Sequence, residues 1–543
     1  MTGSASITLH ARSSRRFARW ATAAFGILLT TAVSAAPADD IDAVQNLVSR
    51  VGPVIGSASV CPGIGLSQIQ NVTEKFRAVI KVVPNEADRE NLTQQFDRYA
   101  AFGRNAVTTG KITCETAELQ FKNMEQVVSA AAPVPSNVPS TPSRAMTVPA
   151  AAIAPPAPAA IAPVPVPVAQ PVSSPDREIR FGMVAPFTGY SRDIGRQMEI
   201  GITAAFNRIN DAGGVNGRML RLIPADDGYD PTRTLAAMKQ LYEKERVFAF
   251  IGNYGTATGA VAMPYLLENR VLFFGPFSGG NIFRKNPPDR YVFNYRASYD
   301  EEMDATVRYL LKVRHLQPKQ IAVFAQDDAY GDAGFTGVAK SFRSLGLSDA
   351  GILRVNYKRN TIDVDPAVNT LRAQKPPIKA VIMVATYRAA ARFIEKTRDL
   401  FPDMIYTNTS LVGSTQLANE LMLLGPRLAP GIIVTQVLPA VGGNSSEVLE
   451  YKDALAKYFP TESAADYISF EAYITANVLI EGLKRAGPDP DTEKLVSTLE
   501  DMRNLDLGLG RPLNFGRAEH QASHEVWGTV INGDGKYEPL DLK

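Results

Sequence analysis

Along the first part of the chain, apolar residues recur every three to four positions. Ile41, Val44, Leu47, Val48 and Val51 share one helical face, and Val72, Phe76, Val79, Ile80 and Val83 repeat the pattern. Leu92, Phe96 and Tyr99 follow, then Leu119, Phe121, Met124, Val127 and Val128. Two-residue alternation is scarce, so residues 36–130 read as a small helical domain. From residue 176 the pattern changes. Segments of strand length rich in apolar residues appear at 179–184, 219–224, 247–251 and 271–274, that at 247–251 unbroken, separated by helical periods at 197–212 and 231–244. Unbroken runs of this kind mark parallel strands covered on both faces. The rhythm restarts after residue 300, with strands at 320–324, 351–355, 380–385, 404–406 and 432–434 and helices at 304–314, 331–346, 365–373 and 389–400.

Two successive βαβ series predict an α/β unit of two doubly wound parallel sheets joined by a hinge, hence two lobes. Lobe 1 is expected at about 176–298 and 437–512, lobe 2 at about 299–436 and 513–543. A cleft between such lobes is the natural ligand site. Residues 131–175 separate this unit from the helical domain. Thirteen of these 45 residues are Pro and Arg144 is the sole charge, so an extended, semi-stiff linker is expected.

Composition sharpens the picture. The 543 residues are 45% hydrophobic and 21% charged, as globular cores require. The formal net charge of +2 arises in residues 1–35, where Arg12, Arg15, Arg16 and Arg19 meet no acid. The remainder carries 53 basic against 55 acidic side chains, which leaves no basic face for a nucleic acid. Arg12–Arg19 precede an apolar run from Trp20 to Val33 and then Val33-Ser34-Ala35. This order reads as a signal peptide, residues 1–35, cut after Ala35, with the mature chain in the periplasm. The alternative, a membrane anchor, needs ~20 apolar residues, more than this run supplies. Two cysteines, Cys61 and Cys114, stand in the helical domain. An even count in an exported chain argues for one disulfide, with two free buried thiols as the alternative. Closing that loop is worth ~4 kcal/mol in the chain-entropy model.

Local signatures then follow in order: Pro186-Phe-Thr-Gly189, Ala212-Gly-Gly-Val-Asn-Gly217, Asp226-Asp-Gly-Tyr-Asp-Pro231, Ile251-Gly-Asn-Tyr-Gly-Thr-Ala-Thr258, Phe274-Gly-Pro-Phe-Ser-Gly-Gly280, Asp327-Asp-Ala-Tyr-Gly331 and Glu471-Ala-Tyr473. With these, residues 179–537 resemble the Leu/Ile/Val-binding-protein branch of type I periplasmic binding proteins, the solute receptors of ABC importers. The resemblance implies a type I periplasmic-binding fold that binds without catalysis and closes over a hinge of three crossing strands. It also implies a small-molecule ligand and, as partner, a membrane permease. The helical domain and linker keep a second reading open, a sensory module that signals to a partner protein through its N-terminal extension.

The residues themselves support such a site. Gly252–Thr256 lies between a buried strand and a helix, where backbone N–H groups and the helix dipole hold anions. Thr256 and Thr258 offer hydroxyls, and the resemblance places Thr256 at the ligand's carboxylate; a helix cap is the competing role. Phe277 and Ser278 are expected to line the cleft from the next loop. Tyr330 and Tyr387, at strand ends of the second lobe, are expected to face them, each offering a ring and a hydroxyl. Amino-acid binders of the family pair the ligand's ammonium with an acid after the next strand. Here that stretch reads Thr407-Asn-Thr-Ser-Leu-Val412, with Ser410 nearest the position. A neutral polar metabolite, an amide or a short carboxylate is therefore favoured over a standard amino acid. Tyr190 and Arg192 stand close enough in sequence to reach the cleft rim.

Catalytic and metal readings are weaker. His520 and His524 have metal-pair spacing, but no third ligand is evident. No Gly-x-Ser-x-Gly elbow occurs, and Asp226, Asp227 and Asp230 suit turns and caps better than a calcium loop. No enzyme activity, metal or cofactor is expected.

Overall fold

In a computed structural model the described residues are 41–83, 85–109, 112–130, 178–462 and 464–543. The expected signal peptide and the whole Pro-rich linker lie outside them. The chain divides into two compact units, Met1–Val172 and Ser173–Lys543.

Among its described residues the first unit has four helices, α1 (Ile41–Ala58), α2 (Leu66–Lys81), α3 (Glu86–Thr108) and α4 (Cys114–Ala130). Their inward faces supply Val48, Val51, Ile55, Val72, Phe76, Leu92, Phe96, Phe121 and Met124 to one core. Glycines let α1 and α3 approach backbone to backbone. A Cβ at Gly56 would stand 1.8 Å from the carbonyl oxygen of Ala100, and one at Gly103 2.0 Å from that of Pro53. Cys61 and Cys114 are disulfide-bonded, their Cα atoms 5.3 Å apart. Leu119 points outward, because Ala117, Phe121 and Met124 already occupy the inward stripe of α4.

The second unit begins with a five-stranded parallel sheet in the order β2-β1-β3-β4-β5. Its strands are β1 (Glu178–Ala185), β2 (Met219–Asp226), β3 (Ala249–Ile251), β4 (Phe273–Phe274) and β5 (Val292–Phe293), and the interleaved helices are α5 (Arg192–Asp211), α6 (Pro231–Glu243) and α7 (Thr256–Glu268). The second sheet has seven strands in the order β12-β11-β10-β9-β8-β6-β7. These are β6 (Ile321–Gln326), β7 (Leu353–Tyr357), β8 (Ala380–Val384), β9 (Ile405–Asn408), β10 (Ile433–Gln436), β11 (Trp527–Ile531) and β12 (Tyr537–Leu540). Helices α8 (Tyr299–Arg308), α9 (Ala329–Ser344), α10 (Asp365–Arg372), α11 (Tyr387–Thr397) and α12 (Ser414–Leu424) accompany it. The sheet is not wholly parallel as expected: β11 and β12 pair antiparallel at its edge. A five-residue turn joins them, and so short a connection allows no other sense.

Helices α13 (Ser446–Tyr458), α14 (Tyr467–Ala486) and α15 (Thr492–Glu500) return to the first lobe. There α14 lies so close to α5 that a Cβ at Gly201 would meet the Ser469 carbonyl oxygen at 2.0 Å. Residues 513–522 still follow the first lobe, with Phe515 edge-on to Phe293, so the last crossing comes after Ala522 rather than at 512. The three crossing segments run side by side. Asn294 N–H donates to the His520 carbonyl at 2.7 Å and Ala522 N–H to the Asn294 carbonyl at 2.9 Å. The Tyr295 hydroxyl reaches the Val437 carbonyl at 3.4 Å.

Candidate functional site

The C-terminal ends of β3 and β4 face those of β6, β8 and β9, and their loops meet. After β3 the backbone turns through Gly252 (φ +70°) and Gly255 (φ +99°). These left-handed values suit glycine, and they deliver Thr256 to the first turn of α7. The neighbouring loop is tied to it, Phe277 N–H donating to the Asn253 carbonyl at 2.7 Å and Gly255 N–H to the Phe277 carbonyl at 3.1 Å. The hydroxyls of Thr256 and Ser278 are consequently 2.7 Å apart, both buried. Tyr299 stands beside them, its hydroxyl directed at both. Thr258, expected in the cleft, turns away instead. Its hydroxyl donates to the carbonyls of Tyr254 and Gly255, because the preceding turn lies within reach of a helical threonine.

From the second lobe, Tyr330 opens α9 and shares a 2.7 Å hydrogen bond with Thr409. Its ring is 5.4 Å from that of Tyr299. Ser410 follows β9, donating its N–H to Glu302 Oε2 at 2.8 Å and its hydroxyl to Oε1 at 3.0 Å. Tyr387 opens α11 and reaches across the lobes, its hydroxyl donating to Asp193 Oδ2 at 2.6 Å. Arg388 lies 3.6 Å from the same carboxylate and over the Tyr190 ring. Further bonds span the lobes. Gln326 donates to the Tyr229 hydroxyl at 3.1 Å, Asn360 to the Gly228 carbonyl at 3.0 Å, and Tyr254 to the Leu411 carbonyl at 3.5 Å.

Sequence reasoning missed the charged group at the centre. Arg296, 1% exposed, lies in the first crossing segment. Its guanidinium covers the Phe277 ring at 5.2 Å and donates from Nη2 to Ser410 Oγ. Glu302 of α8 is 3.5 Å away and Glu471 of α14 is 3.6 Å away. Nε and Nη1 make no hydrogen bond to a described residue. Burial works against the Arg296 charge, and Glu471 and Glu302 outweigh it, so its pKa stays above the ordinary value. Burial pushes the Glu471 carboxyl up to about 7, although Arg296 pulls the other way. A signal did exist: Glu471 opens one of the recognised signatures, and Arg296 is a lone charge in an apolar stretch. Their partnership across the fold has no local trace.

The remaining polar clusters are structural. Asp226 accepts hydrogen bonds from Phe187, Thr188, Gly228 and Arg233. Asp227 holds Thr234 and Asp230 caps α6. His520 stacks on Phe293 at 3.9 Å, whereas His524 pairs with Glu301 at 2.6 Å. The two histidines thus serve different neighbours, and no group of three metal-type side chains occurs among the described residues. No described helix is long and apolar enough to cross a membrane.

Comparison with known proteins bears on this arrangement. A family model described as periplasmic binding protein matches residues 178–536. The Leu/Ile/Val-binding protein BraC3 of Rhizobium johnstonii is 26% identical over 340 residues, 62% of this chain and 86% of the relative. A crystal structure of a possible leucine/isoleucine/valine-binding protein from Rhodopirellula baltica is 34% identical, with TM-score 0.64, covering 68% of this chain and 99% of that one. A branched-chain amino acid ABC transporter protein from Thermus thermophilus, solved with bound valine, shares the fold at 17% identity, with TM-score 0.59 over 67% of this chain and 95% of that one.

Proposed function

The chain belongs to the periplasmic binding protein family, and from that premise we propose that it is the solute receptor of an ABC-type importer, closing its two lobes on a small polar metabolite. The observation that carries this reading is the convergence of polar side chains from both lobes. Thr256, Phe277 and Ser278 come from one side, and Tyr330, Thr409 and Ser410 from the other. A solute held by both sets stabilises the closed state by its extra second-lobe contacts, and the closed form is what a permease would recognise. In this reading the role is capture without turnover, in keeping with the family match. Residues 1–35 act as the export signal in this reading, and N-terminal sequencing of the exported protein tests the cut after Ala35.

The decisive experiment is a thermal-shift screen of the full chain against amino acids, amides, short carboxylates and purines, followed by solution scattering with any hit. Stabilisation with a smaller radius of gyration supports the receptor. A hit that leaves the radius unchanged removes hinge closure.

One observation favours a second role. Residues 41–130 carry their own disulfide-pinned core outside the 178–536 family match, and simple solute capture does not require such a unit. In this reading the cleft reports its ligand to a sensor through the N-terminal extension. Co-purification of the full chain with a sensor kinase or wall component, rather than a permease, would select it.

A further inference from the structure

We propose that the captured solute is a carboxylic acid lacking an ammonium group, with an apolar or aromatic body, and that Arg296 takes its carboxylate. This deepens the receptor reading and rests on it.

Arg296 is fully buried; Nε faces Glu471 Oε1 at 3.6 Å, and Nη1 has no hydrogen-bond acceptor among the described residues. A guanidinium presents five donors in a planar fork that matches a carboxylate, and unpaired donors on a buried cation are costly. The guanidinium carbon lies over the Phe277 ring, 5.2 Å from its centroid. The groups around it are hydroxyls: Thr256 and Ser278 from one lobe, Thr409 and Ser410 from the other, with Tyr299 and Tyr330 between. Tyr254, Phe277, Tyr299 and Tyr330 are buried rings, suited to flank an apolar body.

An ammonium finds no partner here. Glu302 is the carboxylate nearest Ser410, but it already accepts from the Ser410 N–H, the Ser410 hydroxyl and the Thr435 hydroxyl. It also lies 3.5 Å from Arg296 Nη2. Glu471 is paired with Arg296 Nε at 3.6 Å. At the rim, Asp193 is engaged by Tyr387 and Arg388, and Asp328 by Arg359 and Gln326. An α-amino acid placed on Ser410 would set its ammonium against the guanidinium. Its 2-oxo counterpart sets a carbonyl oxygen there, which donors favour.

Matched pairs test this by calorimetry on the full chain: 4-methyl-2-oxopentanoate against leucine, and phenylpyruvate against phenylalanine, with benzoate as a bare acid. The oxo acid of a pair, or benzoate, should bind at least about tenfold more tightly than either amino acid. Tighter binding of the amino acids overturns the proposal. Binding of an amide or sugar with no acid bound also overturns it, while leaving the receptor reading standing. No response to any solute class sinks both. Arg296→Lys keeps the charge and loses the fork, and should weaken the acid about tenfold to a hundredfold; unchanged affinity in a folded variant refutes the role of Arg296. Ser410→Glu supplies the missing partner independently. It should reverse the preference within a pair, and retention of the oxo-acid preference would count against the assignment.

Discussion

Removing the hydroxyl of Tyr387 isolates one inter-lobe bond from the rest of the fold. In Tyr387→Phe the ring stays packed at the start of α11, and only the 2.6 Å contact to Asp193 is lost. A hydrogen bond to a charged group contributes about 1.5–3 kcal/mol net when sheltered. Asp193 is 47% exposed, so water competes and about 1 kcal/mol is the fair expectation. The bond spans the lobes and exists only when they meet. Its loss should therefore lower the closed population and weaken apparent solute affinity about fivefold. The change should fall mainly in the dissociation rate, since reopening is what becomes easier. Asp193→Asn should cost more, because it also loosens Arg388. Calorimetry with stopped-flow dissociation on the two single variants and the double variant completes the cycle. Additive single effects, or unchanged dissociation in Tyr387→Phe, would refute the view that this contact latches the cleft.

Three further outcomes follow. Thr256→Val should weaken solute binding at least tenfold, whereas Thr258→Val should leave affinity unchanged and lower the melting temperature slightly; calorimetry beside thermal unfolding separates the two threonines. Burial raises the Glu447 carboxyl from its ordinary value of 4.5 to about 7. The folded state therefore holds a proton that the unfolded state releases between about pH 4.5 and 7, and the stability this carboxyl contributes declines as pH rises through that window. Glu447→Gln should match the parent at pH 4 and exceed it at pH 8 in urea unfolding. Cys61→Ser should destabilise the four-helix unit by about 4 kcal/mol, the loop-closure value for a sequence separation of 53. Faster amide exchange confined to residues 41–130, with the two-lobed unit unmoved, is the expected signature.

Much of the architecture was readable from local pattern. Helical spacing in Val48, Val51, Phe96 and Phe121 is enough to define inward faces, because a 3.6-residue period leaves one stripe to bury. Continuous apolar runs at β3, β6 and β8 declare strands covered on both sides. Glycine loops at strand ends marked where Thr256, Ser278 and Tyr330 would gather. The antiparallel edge formed by β11 and β12 was not readable, since a strand's own residues do not state the direction of its neighbour.

The sequence by itself determined the elements and the two-lobed organisation, since both follow from short-range periodicity and turn chemistry. Only the tertiary structure decided which polar groups face one another. Arg296 meets Ser410 across 114 residues of chain, and Tyr387 meets Asp193 across 194. Nothing in either neighbourhood encodes the other, because such contacts depend on how the lobes pack and on a hinge made from three distant segments. The same packing turned Thr258 back onto its own helix while leaving Thr256 beside Ser278, a distinction two residues wide that spacing alone does not draw.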